Sequence, residues 1–310
     1  MSAALDSRWH QKRARVVGGS EIAALYGCQQ PYQMSLYALW YVKAGLASAP
    51  PVDGERIEWG NDLEDAIARV VARRSGWTIS KGGHVTDPTT PGLGCTLDYI
   101  VEAIDDRGPG ALEIKNVDWL VYKSKWIDGE PPLHILLQLQ TQLAATGYRW
   151  GYIACLVGGN QLETYEFTAR PSLIADIRKR VTEFWASIER GEAPPIDGSS
   201  GAFHVLRELN PDPIDDSICL DESGEFSEIC AELQRTSEER RQKEKTEEAL
   251  KARVMQLLGS HRRAWGGGWV ASLAITKATP GREITPDMVG TNIGARKEMR
   301  RLTVKEYTHE

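Results

Sequence analysis

The stretch "GALEIKNVDW", residues 110–119, carries two opposite charges inside a short apolar run. The run predicts a β-strand, in which successive side chains alternate between the two faces of a sheet. Glu113 and Lys115 are two residues apart, so their side chains point to the same face. A carboxylate and an ammonium that point to the same face of a buried strand need a physical reason.

Length and composition exclude several classes of protein. The 310 residues suit one large or two smaller domains at roughly 150 residues each, and 41% hydrophobic with 26% charged residues is typical of a globular protein. The five scattered cysteines include no CxxC pair, which argues against a disulfide scaffold, a zinc knuckle or an iron–sulfur cluster and favours a reducing cytosol. No apolar stretch approaches the ~20 residues that span a bilayer, and residues 1–17 lack an apolar signal core. We therefore expect a cytoplasmic protein without membrane contact.

The net charge of −6 limits how the chain could bind nucleic acid. A protein that coats DNA without sequence preference is usually basic, so any DNA contact here is expected in a local groove or channel. The sequence contains no GxxxxGK[ST] phosphate loop, and its six histidines form neither HxH nor HExxH. These absences argue against ATP use and against a zinc hydrolase.

Residues 1–192 alternate helical and strand-like segments, which predicts an α/β domain with a mixed central sheet flanked by helices. A short helix is expected at "SEIAALYGC", where Ser20 would be the N-cap, and a longer one at residues 59–77 that stops at Gly76. The other predicted helices are 133–147 and 171–191, and the predicted strands are "WTIS", "GCTLDYIVEA", "ALEIKNV", "RWGYIACLVG" and "QLETYEFT", the last two joined as a hairpin.

The composition changes after residue 192. Residues 193–224 are rich in Pro, Gly and Ser near their start and predict a connector. Residues 225–310 predict a C-terminal extension with a charged helix of about eight turns followed by a small β-containing cap.

Two acids lie on neighbouring predicted strands. Asp98 ends "GCTLD", with 14 residues between it and Glu113, and a hairpin-like pair of strands would bring both carboxylates to one end of the sheet. Like charges so close need a cation, and a divalent metal with oxygen ligands such as Mg²⁺ meets that need. Lys115 could then orient or deprotonate an attacking water, with Glu64 and Gln138 available from adjacent helices. The residues alone equally allow a plain Glu–Lys surface pair and an Asp that caps a turn.

Several stretches together resemble one family of nucleases. They are "WHQKRARVVGGSEIAALYG", "EWGNDLE", "CTLD", "LEIK" and "LLQLQTQLAATG", in this order between residues 9 and about 190. The order Glu64, Asp98, Glu113-x-Lys115, Gln138 resembles the PD-(D/E)xK core, and more narrowly the YqaJ and lambda-exonuclease family of phage recombination nucleases. Leu97 stands where the motif has its Pro, a departure that removes no reactive group.

The resemblance implies a restriction-endonuclease-like fold and a Mg²⁺-dependent deoxyribonuclease, with Mn²⁺ as a substitute. It implies that Asp98, Glu113 and the backbone carbonyl of Ile114 bind the metal, that Lys115 is the catalytic lysine, and that Glu64 and Gln138 complete the site. It further implies a pocket for a 5′-terminal phosphate formed by Arg13 and Ser20. More weakly, the resemblance aligns Ile57 with an apolar wedge that separates terminal base pairs. The mixture of aromatic and basic residues in one segment also predicts a weaker DNA contact there, at Trp119, Tyr122, Lys123, Lys125 and Trp126.

The expected activity is 5′→3′ digestion of one strand of duplex DNA, which leaves 3′ overhangs for recombination. By resemblance, the partners would be duplex DNA ends, a single-strand annealing protein and further copies of the chain in a ring-shaped trimer, in a bacterial or phage-infected cell. Two alternatives stay open: an endonuclease or repair nuclease on the same core, and an inactive DNA-binding or assembly protein.

Overall fold

A computed structural model of the chain describes residues 14–50, 54–102, 104–127, 129–211, 218–220, 224–276 and 299–306, with the backbone alone for residues 56, 57, 276 and 299–306. The chain divides into two compact units, Met1–Ile214 and Asp215–Glu310. The proposed boundaries at residues 192 and 224 remain a prediction. Among the described residues, no helix is long and apolar enough to cross a membrane.

The first unit contains seven helices in its described part. Their bounds are α1 Ile22–Leu25, α2 Leu36–Lys43, α3 Glu55–Ser75, α4 Trp119–Lys125, α5 Leu133–Thr146, α6 Pro171–Glu189 and α7 Ser200–Leu209. Helix α3 ends where the sequence predicts, because Gly76 takes the left-handed conformation (φ 68°) that favours glycine. Helices α2, α4 and α7 were not predicted. Each begins at a Ser or Asp whose side chain accepts from the first turn, a capping signal that the sequence carries at Ser35, Asp118 and Ser199.

The central sheet has five strands in the order β1-β4-β5-β6-β7. The strands are β1 Ile79–Lys81, β4 Tyr99–Val101, β5 Gly110–Val117, β6 Trp150–Val157 and β7 Gln161–Thr168, and a separate pair joins β2 His84–Thr86 with β3 Gly94–Thr96. Strands β5 and β6 are parallel because α4 and α5 form the crossover between them, and the other neighbours are antiparallel. The predicted mixed α/β sheet flanked by helices is confirmed.

The segment predicted as one strand, "GCTLDYIVEA", is interrupted at Leu97 and Asp98. The two halves, β3 and β4, pair with residues 79–86 in the same antiparallel register. The two-stranded segment of residues 79–101 therefore bends without a change of register. At the bend the N–H of Gly82 donates to the carbonyl of Asp98 (2.9 Å), and the N–H of Leu97 donates to the carbonyl of Gly83 (3.1 Å). The bend therefore holds Asp98 beside the middle of β5, where β4 stops pairing.

The two faces of the sheet pack against different helices. Odd-numbered residues of β6, such as Ile153 and Cys155, belong to the larger apolar core, which also includes buried residues of α5 and α6. Even-numbered residues, such as Ala154, join Leu112 and Ile114 in a second core beneath α3. Glu113 and Lys115 therefore point into the face that α5 covers, because they share the odd-numbered parity of Ala111 on β5.

The second unit contains one long helix and a small sheet. Helix α8, Gly224–Leu258, has 35 residues, and the strands β8 Arg263–Gly266, β9 Trp269–Thr276 and β10 Met299–Glu306 form an antiparallel sheet in the order β10-β9-β8. Both elements agree with the helix and the small β cap that the sequence predicts. At 35 residues the helix is longer than the predicted eight turns.

Candidate active site

Glu113 is the central group of the candidate site. Only 1% of its surface is exposed, because it lies on the face of β5 that α5 covers. One oxygen, Oε1, lies 2.5 Å from the Nζ of Lys115, so the two charges that share a face form a close ion pair. An ionised carboxylate this deeply buried is stable only with a cation and hydrogen-bond donors around it.

Two glutamines from α5 provide those donors. The amide nitrogen of Gln138 donates to Oε1 of Glu113 (2.6 Å), while its amide oxygen accepts from Lys115 Nζ (3.1 Å). Gln142, four residues later on the same helix face, donates to the other carboxylate oxygen (2.5 Å) and is itself buried. Gln138 was predicted and Gln142 was not, although the i, i+4 spacing in "QLQTQ" is the signal that could have found it.

Asp98 enters the site from the bend between β3 and β4. Its Oδ2 accepts a hydrogen bond from the backbone N–H of Ile114 (2.9 Å), so its carboxylate lies directly beside the strand that carries Glu113. Burial raises the pKa of Asp98 to about 8, and the negative charge of Glu113 adds to the rise. This is the close pair of carboxylates that the sequence predicted for neighbouring strands.

Lys115 is held in its charged form by the same carboxylates. Burial alone would lower the pKa of the ammonium, but the charges of Glu113 and Asp98 outweigh it and hold that pKa above the usual range. Glu64 on α3 is close enough for its charge to contribute to the raised pKa of Asp98. In the described part of the chain, the Glu64 carboxylate forms its ion pair with Lys81 (2.8 Å) and not with Lys115.

The donor set suits a hard divalent cation such as Mg²⁺. The carboxylate of Asp98 accepts from the N–H of Ile114, the residue after Glu113, and the charge of Glu113 acts on it. The Ile114 carbonyl faces the same side, because N–H and C=O of one residue share an edge of a strand. Among the described residues, no group of three or more His, Cys, Asp or Glu side chains could hold a metal. An ion here would rely on Asp98, Glu113, a carbonyl and water, which is a usual arrangement for Mg²⁺.

The predicted phosphate pocket is described only in part. Arg13 lies outside the described residues. Ser20 is exposed in the turn before α1, and its carbonyl accepts from Gln33 (3.1 Å). The expected N-cap role of Ser20 is wrong, because α1 begins at Ile22 with Glu21 as its N-cap. The turn nevertheless lies beside the site, since a Cβ on Gly19 would be 3.3 Å from Gln138.

The proposed DNA contacts around α4 have different environments. Trp119 is 42% exposed, with the Nζ of Lys123 5.3 Å from its ring centre. The aromatic rings of Tyr122 and Trp126 pack against the main core, so these two residues are structural in the described chain. Ile57 lies in the first turn of α3, but its side chain is outside the description.

His134 is a further group near the site that the sequence did not indicate. It lies one helical turn before Gln138 on α5, and its Nδ1 is 3.3 Å from the Gln30 side-chain nitrogen. Burial, together with the positive charges of Lys115 and Lys125, lowers the pKa of His134 to about 4. The charges of Lys125 and Lys115 therefore act on the same side chain, His134, although the two lysines belong to different elements.

Comparisons with known proteins identify a related family. Residues 8–149 match the family described as the YqaJ-like viral recombinase domain. Over 205 residues the chain is 29% identical to the protein YqaJ of Bacillus subtilis (strain 168), a match that takes in 64% of this chain and 61% of that relative. The chain thus spans about three fifths of the length of the curated relative it matches.

One solved structure shows a related fold. The structure of LHK-Exo in complex with dAMP is 22% identical and covers 60% of this chain and 94% of its own, with a TM-score of 0.50. A second LHK-Exo structure, described as an alkaline exonuclease from Laribacter hongkongensis, has 21% identity, the same coverage and a TM-score of 0.49. The resemblance predicted from the sequence motifs is therefore confirmed.

Proposed function

From the premise that residues 8–149 form a YqaJ-like viral recombinase domain, we propose that the chain is a metal-dependent deoxyribonuclease. One observation carries the proposal: Asp98, Glu113 and Lys115 converge where β4 leaves β5, with Gln138 joining the lysine to the buried glutamate. A plain surface Glu–Lys pair would not be buried under a helix that supplies two amide donors. The arrangement suits hydrolysis of a phosphodiester bond.

Each residue has a distinct role in this proposal. Asp98, Glu113 and the Ile114 carbonyl would hold Mg²⁺, or Mn²⁺ in its place. When bound, the ion supplies a Lewis acid for the scissile phosphate and lowers the pKa of a bound water. Lys115 donates hydrogen bonds that orient the attacking water and stabilise the negative charge developing on the phosphate. Gln138 keeps the lysine aligned, and Glu64 adds negative charge on the metal side.

We assign the reaction to 5′→3′ digestion of one strand from a duplex end, which leaves a 3′ overhang. The support is the N-terminal turn beside Gln138, with Arg13 and Ser20 as the proposed ligands of the 5′-phosphate. The N–H of Gly18 already donates to Glu21 (2.7 Å), so the Ser20 hydroxyl and the arginine would bind the phosphate instead of that amide. Ile57, Trp119, Lys123 and Lys125 remain proposed contacts with DNA.

The proposed setting is phage-type recombination in the cytoplasm of a bacterial or phage-infected cell. The overhang would be the substrate of a single-strand annealing protein. A ring-shaped trimer would enclose the DNA, and its inner surface could be basic although the chain has a net charge of −6.

The activity is tested with linear duplex DNA labelled at one 5′ end, incubated with Mg²⁺ or with EDTA beside a covalently closed circle. We expect metal-dependent release of the 5′-terminal nucleotide and an intact circle. Lys115→Ala should reduce the rate by at least ~100-fold, since it removes the group that orients the water. Cleavage of the circle would assign an endonuclease instead. No cleavage with several divalent metals would assign an inactive DNA-binding or assembly protein.

The end-recognition proposal needs a separate comparison. Duplexes with a 5′-phosphate should be digested faster than 5′-hydroxyl duplexes, and Ser20→Ala should reduce this ratio while the rate on 5′-hydroxyl ends stays unchanged. Equal rates on both ends in the unmodified protein would contradict the phosphate pocket.

A further inference from the structure

In helix α8 the a and d positions of one heptad register form a line along the full length of the helix, called the seam below. Taking Phe226 as position a, the a and d positions are Phe226, Ile229, Leu233, Thr236, Arg240, Lys243, Glu247, Leu250, Val254 and Leu257. The three positions at each end are apolar, and the four in the middle are polar or charged. A heptad phase kept over 35 residues, or five heptads, is typical of helices that pair along one seam.

Most apolar residues of the seam are exposed in the described chain. Ile229, Leu233 and Leu250 are 58%, 66% and 56% exposed, and Leu257 is 86% exposed. Within the helix Leu258 is the buried residue, and it lies outside the seam at position e. Large aliphatic side chains at regular spacing on a helix that is otherwise highly charged indicate a surface made to be covered.

The order of residues along the seam is nearly symmetric about its centre. We propose that α8 pairs with α8 of a second copy of this chain in antiparallel orientation. Phe226 then meets Leu257 of the second copy, Ile229 meets Val254, and Leu233 meets Leu250. Each end of the pair buries three apolar layers. In the middle, Thr236 meets Glu247 of the second copy and Arg240 meets Lys243. Glu247 lies one layer from Arg240 of the other copy, so its negative charge offsets part of the repulsion between Arg240 and Lys243.

The flanking charges select the antiparallel orientation over the parallel one. In an antiparallel pair, g positions face g positions, so Glu232 faces Arg253 of the second copy, and symmetry repeats this pair. In a parallel pair, g positions face e positions, and Glu239 would face Glu244 of the second copy twice. The parallel seam would also stack Arg240 on Arg240, Lys243 on Lys243 and Glu247 on Glu247. The parallel seam thus has three like-charge layers and two Glu239–Glu244 contacts, whereas the antiparallel seam has two like-charge layers, Arg240 with Lys243, and two Glu232–Arg253 pairs.

The pairing is independent of the proposed ring. If the nuclease units form a three-chain ring, paired helices join two rings into a six-chain particle. If those units are monomeric, the same helices give a dimer. In both cases, loss of the seam halves the mass of the assembly. This outcome does not depend on nuclease activity, because the mass is measured without DNA.

The first test measures the mass of the full chain by light scattering over a range of concentrations. The double variant Leu233→Glu with Leu250→Glu should have half the mass of the unmodified protein. The control is Met255→Glu, which places the same charge at an outward b position that is 40% exposed and should leave the mass unchanged. Equal masses for the seam variant and the unmodified protein would overturn the proposal.

A charge exchange tests the orientation without altering the apolar layers. Arg253→Glu alone should shift the mass toward the halved value, because it sets Glu232 against a glutamate. Adding Glu232→Arg should restore the pair, whereas adding Glu238→Arg at an outward f position should not. Failure of the first combination to restore the mass would overturn the antiparallel arrangement. So would a short bismaleimide cross-link between Cys230 and Cys230 of two chains, since antiparallel pairing places Cys230 near Lys251.

Discussion

At the scale of single residues, the buried carboxylate of Glu113 sets the requirements of the site. It accepts hydrogen bonds from Gln138 and Gln142 and pairs with Lys115. These contacts fix the orientation of the Glu113 carboxylate, which would face the metal, and of the Lys115 ammonium, which would face the water. The pKa of Lys115 stays high because two carboxylates surround it. The chemistry of the site therefore depends on donors that hold these charges as much as on the charges themselves.

Gln142→Ala should lower kcat by about 10- to 100-fold with little change in KM for DNA, because it removes a hydrogen bond that holds Glu113 and leaves substrate contacts intact. The control is Gln140→Ala, on the same helix. Gln140 is equally buried but binds the Arg170 N–H (2.8 Å) and the Thr168 carbonyl (2.9 Å), away from the site. That control should lower the free energy of unfolding by about 1–3 kcal/mol and leave kcat unchanged. Equal effects of both variants on kcat would contradict a positioning role for Gln142.

Asp87 is the clearest pH-dependent stabilising group. Burial would raise the pKa of its carboxyl, but hydrogen bonds from Thr89 and the guanidinium of Arg178 hold that pKa below the usual range. A lowered pKa in the folded state means that the stabilisation is present above the unfolded value of about 3.9 and is lost as the pH falls below it. Asp87→Asn should lower the free energy of unfolding at neutral pH by about 3 kcal/mol, since it leaves Arg178 without its partner.

Urea unfolding of both proteins at neutral pH and near pH 3 measures this effect. The difference between Asp87→Asn and the unmodified protein should shrink at the acidic pH, because the Asp87 carboxyl of the unfolded chain is then largely protonated while the lowered pKa of the folded state favours the ionised form. A difference that stays constant across this range would show that the pair does not titrate as inferred.

At the scale of secondary-structure elements, the bend in the arm formed by residues 79–101 places Asp98. A Cβ on Gly82 would lie 2.3 Å from the Leu97 carbonyl oxygen, whereas a Cβ on Gly83 would meet nothing within 4 Å. Position 82 therefore requires glycine because the Leu97 backbone lies too close to leave room for a Cβ atom. The backbone dihedral angles at residue 82 are not the reason.

Gly82→Ala should push the Leu97–Asp98 backbone away from its place beside β5. We expect a loss of stability of about 1–3 kcal/mol and a lower nuclease rate, because overpacking is relieved by backbone shifts. Gly83→Ala is the matched control and should change neither quantity. Thermal unfolding and single-turnover cleavage measure the two effects, and a fully active, stable Gly82→Ala protein would refute this account of the bend.

Helix α4 gives a prediction for DNA binding. The positive charges of Lys125 and Lys115 both act on His134, so a phosphate bound near the site would also be attracted by Lys125. Lys125→Ala should weaken DNA binding and reduce the slope of log affinity against log salt by about 0.9. Lys179→Ala on α6 removes an equally basic side chain that pairs with Glu183 on the same helix, and should leave the slope unchanged. The slope is measured by fluorescence anisotropy with EDTA present, and equal slopes for both variants would exclude Lys125 from the contact.

At the scale of the whole molecule, the first unit contains the candidate site and both apolar cores of the sheet. Helix α7 is part of this unit, because Ala202 and Val205 pack against Tyr37 and Ala38 of α2. A functional boundary is therefore expected after α7 and not within the Pro-rich segment before it.

A chain ending at residue 214 should fold and cleave short duplexes at a rate close to that of the full chain. A chain ending at residue 192 should be less stable, because it exposes the apolar surface of α2 that α7 covers. Circular dichroism melting and cleavage of labelled duplexes compare the two. Equal stability of both truncated chains would contradict the structural role assigned to α7.

The sequence alone determined the type of each major element and the main chemical groups. Alternation in β5 and β6, helical periodicity in α3, α5 and α6, and the order of Asp98, Glu113 and Lys115 are local properties of the chain, because side-chain direction follows backbone period. The short helices were missed because their apolar faces are too brief to show a period. Their caps at Ser35, Asp118 and Ser199 were the signal that remained.

Tertiary structure alone decided which side of each element meets its neighbours. Helical period places Gln138 and Gln142 on a different side from Gln140, but only packing against β5 selects the first two as partners of Glu113. The same holds for Gly82, whose importance depends on a backbone 15 residues away in the chain. Contacts between distant segments depend on how whole faces fit together, and no local pattern in the sequence carries that information.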